Sequence, residues 1–333
     1  MEARYYETIQ KGKVKCRLCP AECVISPGKR GVCHVRKNKD GVLIAENYGI
    51  ISASHLDPVE KKPLYHFHPG ARIFSIGSIG CNMACFFCQN YDISQGTVDH
   101  YHGEGLVMPD ELTERALQMD DNLGIAFTYN EPTVYYEYML DTARLSAAAG
   151  MKNVVVTNGY ICREPLDQLL EVTDAFNVDL KSYSDSFYRK ATHARLMPVK
   201  NSLRQIRLSG KHLEITYLLI PGWNDDICKF REMMKWIRDE LGPQTVFHLS
   251  RYFPAYRSKE PKTPVKLMFR FYEVAKKYVF YVYLGNLSAS ESQNTICHQC
   301  GKMVISRSGY FIQKIGLDEK GCCKYCGTKI VEI

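Results

Sequence analysis

Ile73-Phe74-Ser75-Ile76-Gly77-Ser78-Ile79-Gly80-Cys81-Asn82-Met83-Ala84-Cys85-Phe86-Phe87-Cys88 is the stretch on which the reading of this chain turns. An apolar run ends in glycine, and three cysteines follow, with three and then two residues between them. The run reads as a β-strand. Gly77 and Gly80 let the backbone turn tightly beyond it. Three thiolates on a loop at a strand end can hold three corners of a cubane iron–sulfur cluster. Tetrahedral zinc asks for a fourth protein ligand, and none lies adjacent. A zinc site completed by a distant histidine is the alternative.

Outward from this stretch, strand and helix alternate. Apolar strand candidates lie at 72–76, 124–128, 153–157, 175–180, 213–219, 245–249 and 279–284. A helical pattern at 135–149 stops at Gly150. Another, carrying Ile227, Phe230, Met234, Ile237 and Leu241, starts after Asp225 or Asp226 as cap. A third opens at Thr263-Pro264. Repeating β–α units imply a parallel sheet. Six or seven are too few for a closed eightfold barrel, so an α/β partial (β/α)6 TIM-like barrel is expected, with a doubly wound sheet as the alternative. Either way the reactive site belongs at the strands' C-terminal ends. The barrel is assigned to residues 71–290, with a cysteine-metal module at 1–70 and another at 291–333. In the first, 42–50 reads as one or two strands and 57–63 as a charged, proline-broken loop.

Composition agrees with a soluble globular protein: 333 residues, 45% hydrophobic, 24% charged, net charge +7. No apolar run approaches the roughly 20 residues of a membrane span. The polar start shows no secretory signal, so a cytoplasmic location is expected. There fourteen cysteines argue for metal rather than disulfides. Only Cys162 and Cys228 stand alone, and these read as buried small hydrophobes.

Two further groups flank the central one. Cys297-x2-Cys300-Gly301 and Cys323-x2-Cys326-Gly327 are two knuckles supplying four sulfurs to a tetrahedral ion, the pattern of a zinc ribbon, with rubredoxin-like iron as runner-up. Cys322 leaves the fourth ligand slightly open, and His298 reads as a surface residue. Cys16, Cys19, Cys23 and Cys33 fit zinc or a second Fe–S cluster about equally.

C-x3-C-x-aromatic-C after the first strand, with Phe87 in the aromatic position, resembles the signature of the radical SAM superfamily. The resemblance implies a [4Fe–4S] cluster on Cys81, Cys85 and Cys88, whose open iron is chelated by S-adenosylmethionine. Later strand ends fit it. Thr128-Tyr129-Asn130-Glu131-Pro132 stands where many members have a Gly-Gly-Glu-Pro-like segment for the methionine amino group, which implies Asn130 and Glu131; the two glycines are replaced here. Thr157-Asn158-Gly159 is similar to a segment of pyruvate formate-lyase activating enzyme. Asp179-Leu180-Lys181 resembles an Asp-x-Lys segment that reaches the SAM carboxylate. Ile220–Asp225 is again like the activating enzymes. Cys16 to Cys33, Asp57 to Leu64 and the C-terminal ribbon narrow the likeness to the AmmeMemoRadiSam group, over essentially the whole chain.

The implied activity is reductive cleavage of S-adenosylmethionine and hydrogen abstraction by the 5′-deoxyadenosyl radical. The substrate could be a protein, as in activating enzymes, an RNA, or a small metabolite. A non-catalytic electron-transfer or interaction protein is the reading from another class. A flavodoxin- or ferredoxin-like reductant, a Memo-type protein and a second small protein are the implied partners. Two positional expectations remain: His66 and His68 are satisfied structural histidines, and His248, Arg251 and Tyr252 line the substrate pocket.

Overall fold

The structure, a computed structural model, describes residues 1–101, 103, 105–287 and 291–333. Its N-terminal part is built of short antiparallel pieces. Strands β1 (Tyr6–Thr8), β2 (Val14–Cys16) and β3 (Val24–Ile25) form one sheet, and β4 (Arg36–Lys39) pairs with β5 (Val42–Ala45). Only the first half of 42–50 is therefore strand.

Seven parallel strands follow: β7 (Arg72–Gly77), β8 (Asn122–Phe127), β9 (Lys152–Thr157), β10 (Ala175–Asp179), β11 (His212–Leu219), β12 (Val246–Arg251) and β13 (Val282–Gly285). They lie in strict sequence order across one sheet. Helices α1 (Tyr91–Ser94) and α2 (Pro109–Leu117) fill the first connection. Then come α3 (Tyr136–Ala148), α4 (Arg163–Val172), α5 (Asp185–Phe187) with α6 (Leu196–Leu208), α7 (Ile227–Trp236) and α8 (Val265–Ala275). Right-handed crossovers taken always in the same direction put every helix on one side of the sheet and curl it. That is a partial barrel, not the doubly wound alternative, in which the direction reverses. From its second residue onwards β7 is buried throughout, as a parallel strand covered on both faces must be.

The edge beside β7 is occupied by β6 (Ala53–Pro58), antiparallel to it. Residues 57–63 are thus not simply a loop: Asp57 and Pro58 finish a sheet strand, and Val59–Lys61 make a 3-10 turn. The edge tolerates Pro58 because a terminal edge position needs no further ladder N–H. Elsewhere the local signals hold. Asp226 caps α7, its carboxylate accepting from the backbone N–H of Cys228 (2.8 Å) and Lys229 (3.2 Å).

Apolar packing from the N-terminal part is continuous with the barrel core: Val14, Leu18, Ile25 and Val35 join the cluster that holds Phe74, Ile125 and Val155. The C-terminal strands β14 (Thr295–Ile296), β15 (Met303–Ser308) and β16 (Phe311–Gln313) have a small core of their own, with Tyr65, Tyr281, Tyr283 and Val304. Where ribbon meets barrel, the buried Glu214 carboxylate accepts from the backbone N–H of Tyr65 (3.0 Å) and His66 (2.7 Å) and from His212 Nε2 (2.9 Å) and His248 Nε2 (2.6 Å). Burial acts to raise its pKa, but hydrogen bonds from the two histidines outweigh it and hold the group well below the usual carboxylate range. His66 is the satisfied structural histidine expected, with Nδ1 on Ile330 O (2.7 Å) and Nε2 on Tyr283 Oη (2.6 Å). Among the described residues no helix is long and apolar enough to cross a membrane.

Candidate active site and metal centres

The loop leaving β7 carries Cys81, Cys85 and Cys88 into a cavity of about 310 Å³ at the C-terminal ends of the strands. Phe87 lines it from the same loop. Asn130 and Glu131 enter from the end of β8, Thr157 and Asn158 from β9, and Asp179 and Lys181 from β10. Three successive parallel strands deliver these pairs because each ends at the same level of the sheet. A larger cleft of about 470 Å³, lined by His66, His68, Lys152 and Lys329 among others, lies between ribbon and barrel at the strands' N-terminal ends. None of the three cysteines lines it.

Hydrogen bonds within the site set the loops. Glu131 is buried and accepts four: from Thr133 N (3.0 Å), Thr133 Oγ1 (2.6 Å), Thr157 Oγ1 (2.7 Å) and Asn158 N (2.7 Å). It thereby ties the end of β8 to the end of β9. Burial nonetheless raises its pKa against these bonds. Asn130 braces the cysteine loop: its Oδ1 accepts from Ser78 N (3.0 Å) and its Nδ2 donates to Gly80 O (2.8 Å). Asn158 Nδ2 donates to Asn82 Oδ1 (2.9 Å) and lies 3.8 Å from Cys81 Sγ. Met83 N donates to the same sulfur at 3.4 Å.

Lys181 Nζ pairs with Asp179 Oδ2 at 2.9 Å. Burial opposes its charge, but Asp179 and the neighbouring Cys85 overcome that and raise its pKa. Burial pushes the Cys85 thiol up to about 12 and raises the Cys81 thiol as well. Such thiols become thiolates when a cation replaces the proton. Asn224, in the turn after β11, donates to Lys181 O (2.9 Å) and so fixes the end of β10. The donor set fits a cubane with three cysteine ligands: three sulfurs on one wall, amide donors on Cys81, and an ammonium beside Cys85.

Residues that sequence reasoning did not assign to the site also reach the cavity. Lys61, Lys62 and Tyr129 line it. Lys62 is buried; its Nζ is 2.9 Å from Asp57 Oδ2 and 4.8 Å from the Tyr129 ring centroid. Asp57 also accepts from Lys61 (2.9 Å) and from Tyr129 Oη (2.9 Å). Burial lowers the pKa of Lys62 and outweighs the attraction of Asp57. The available signal was the Asp-x3-Lys-Lys-Pro order just before the first parallel strand, which puts two ammoniums back onto one carboxylate.

His248, Arg251 and Tyr252 do not line this cavity. Strand β12 continues to Arg251, so His248 sits mid-strand, on Glu214. Arg251 Nε donates to Thr263 O (2.7 Å), and Tyr252 is buried with its hydroxyl on Ser258 (2.6 Å). The two isolated cysteines are also not both core: Cys162 is half-buried and Cys228 is exposed, because Cys228 falls in the first turn of α7 on its solvent side.

In the ribbon, the sulfurs of Cys297, Cys300, Cys323 and Cys326 all lie within 4.8 Å of one another, the one such group among the described residues. Cys297–Cys326 and Cys300–Cys323 are 3.6 Å apart, close to the edge of a tetrahedron around zinc. Cys322 stands outside the group. His298 is no ligand either: its Nδ1 meets Tyr281 Oη (2.8 Å) and its ring stacks on Phe280. Cys16, Cys19, Cys23 and Cys33 line a second, smaller cavity between the N-terminal strands and the barrel.

Comparison with known proteins adds a family. The sequence model of the radical SAM superfamily matches residues 75–237. Uncharacterized protein MJ0808 of Methanocaldococcus jannaschii is 41% identical over 99% of this chain and 98% of its own length. Pyruvate formate-lyase 1-activating enzyme of Escherichia coli is 30% identical over 51% of this chain and 70% of the enzyme. A radical SAM methyltransferase from Sphaerobacter thermophilus shares the fold, with a TM-score of 0.53 at 17% identity over 71% of both chains.

Proposed function

This chain belongs to the radical SAM superfamily, and we propose that it is an activating-enzyme-like member that acts on a protein. The observation that carries the reading is the convergence of Cys81, Cys85 and Cys88 with the ends of β8, β9 and β10 in one cavity. With a [4Fe–4S] cluster held by the three thiols and S-adenosylmethionine against its open iron, the site would supply one-electron cleavage of the sulfonium to a 5′-deoxyadenosyl radical, which takes hydrogen from substrate.

The chain's own residues bind, orient and exclude water. Lys181 offers an ammonium to the methionine carboxylate, steered by Asp179. Glu131 holds the β8 and β9 loops in register and presents negative charge to the methionine amino group. Asn130 fixes the turn before Cys81, and Asn158 donates towards its sulfur. Lys61 and Lys62, both paired with Asp57 beside Tyr129, line one wall of the cavity, where an acidic or carbonyl group of the substrate can dock. Likeness to an enzyme named for activating pyruvate formate-lyase supports a protein substrate. Zinc is the ion proposed for the ribbon, on the 3.6 Å sulfur spacing. A flavodoxin- or ferredoxin-like reductant is the electron source. The likeness of Cys16–Cys33 and Asp57–Leu64 to the AmmeMemoRadiSam group supports a Memo-type partner.

Anaerobic protein reconstituted with iron and sulfide, then given dithionite and S-adenosylmethionine, should release 5′-deoxyadenosine. Cys81→Ala, Cys85→Ala and Cys88→Ala should each release none. A wild type that holds its iron yet cleaves no S-adenosylmethionine would favour an electron-transfer protein instead. Deuterium from labelled cellular protein, and not from labelled RNA or metabolites, should appear in the deoxyadenosine; transfer from RNA would replace the substrate class.

A further inference from the structure

We propose that Cys16, Cys19, Cys23 and Cys33 hold a second [4Fe–4S] cluster, packed against the loop that carries the first. Neither the family match, which begins at residue 75, nor the function proposed above requires it. The four thiols share one small cavity, closed by Leu18 and Ile25 from the N-terminal part and by Thr133 and Val134 from the barrel. All four are free of disulfides; three are buried and Cys23 is half-buried. Gly31 lies against this cavity: a Cβ there would be in ordinary contact with Cys23 Sγ (3.5 Å) and tight only against Ile25 Cδ1 (3.2 Å).

A second observation points into the same cavity. Arg36 lines it and is 2% exposed. Its Nη2 pairs with the buried Glu137 at 2.5 Å and its Nη1 reaches Arg4 O at 3.4 Å. Its Nε is buried with no acceptor in the protein. A buried donor left unpaired is costly, so an acceptor is expected beside it. Sulfide and thiolate sulfurs of an anionic cluster would satisfy it.

The spread of the sulfurs separates the two candidate metals. Around one zinc ion four thiolates crowd to a tetrahedron's edge, as the ribbon cysteines do. The N-terminal four are all described, yet they do not form a group within 4.8 Å of one another among the described residues. A cubane places four metals between the same ligands and so holds the cysteine sulfurs farther apart. The site also touches the first one. Cys33 O lies 2.5 Å from where a Gly80 Cβ would be, and Gly80 is bonded to Cys81. On another side, Thr133 donates twice to Glu131.

Iron, acid-labile sulfide and zinc should be measured on full-length protein reconstituted anaerobically with ferrous iron and sulfide. Wild type should carry about eight iron atoms per chain. The Cys81→Ala/Cys85→Ala/Cys88→Ala variant should keep half of the iron and sulfide, with the Mössbauer spectrum of a [4Fe–4S] cluster. The Cys16→Ala/Cys19→Ala variant should keep the other half and still change its EPR spectrum when S-adenosylmethionine is added. Zinc in place of the residual iron in the first variant overturns the proposal, as does an iron content that the second leaves unchanged. The first variant does not touch the N-terminal residues, so it decides the matter even where the second misfolds. Its residual iron is also read without any turnover, independently of whether wild type cleaves S-adenosylmethionine.

Discussion

Gly80→Ala is the substitution that most directly tests how the N-terminal part meets the cysteine loop. Gly80 has φ +93°, and a Cβ there would lie 2.5 Å from Cys33 O and 2.9 and 3.0 Å from the Val35 methyls. The left-handed conformation alone costs a non-glycine residue about 1–2 kcal/mol. The clash adds an overpacking cost of about 1–3 kcal/mol, since a backbone carbonyl cannot swing away as a side-chain tip can. The total is about 2–5 kcal/mol. For a chain of this size that is a fall in melting temperature of about 3–7 °C, at roughly 1.4 °C per kcal/mol. Gly210→Ala is the matched control: its φ is +75°, and a Cβ would meet nothing within 4 Å, so only the conformational cost remains. The assay is thermal unfolding of the anaerobic protein, read with iron content per chain. Gly80→Ala should melt below Gly210→Ala and bind iron less completely, because relief of the clash must move either Cys33 or the start of the Cys81 loop. Equal melting temperatures with full iron in both would refute the contact.

Two further outcomes follow from single residues. If the ribbon holds the zinc proposed for it, Cys323→Ser should remove that metal, whereas Cys322→Ser should leave it in place; zinc per chain by elemental analysis distinguishes them. His66 is buried, and chiefly for that reason its pKa is lowered to about 3, so the folded imidazole stays neutral while an unfolded one takes up a proton as pH falls through about 6.5. The unfolded state then binds more protons, and stability should fall by about 1.4 kcal/mol per pH unit for this group between roughly pH 6 and 4. Denaturant unfolding across that range should show a slope about one proton shallower in His66→Gln, and an unchanged slope would remove His66 from the account.

The barrel site was legible because it depends on order more than on detail. Once 72–76, 124–128, 153–157 and 175–180 read as parallel strands, Thr128–Pro132, Thr157–Gly159 and Asp179–Lys181 had to meet the cysteines at one end of the sheet. What stayed hidden depends on contacts remote in sequence. Lys62 reads as a solvated charge until β6 is seen to pair with β7 and turn it under the Tyr129 ring. His248 moved out of the pocket because β12 runs two residues past the expected 249. Cys323 prevails over Cys322 through backbone geometry: Cys323 O accepts from Gly327 N (2.8 Å), Cys323 N donates to Thr328 O (2.8 Å), and Cys322 N is instead taken by Asp318 Oδ1 (2.8 Å). The N-terminal quartet shows the limit most clearly. Spacing alone allows zinc and a cubane alike, since both accept four thiolates. Only the spread of the sulfurs, which do not gather within 4.8 Å of one another as the ribbon's do, favours one over the other, and that is a property of the folded chain; the unpaired Arg36 N–H marks the cavity as one for an anionic group without choosing the metal.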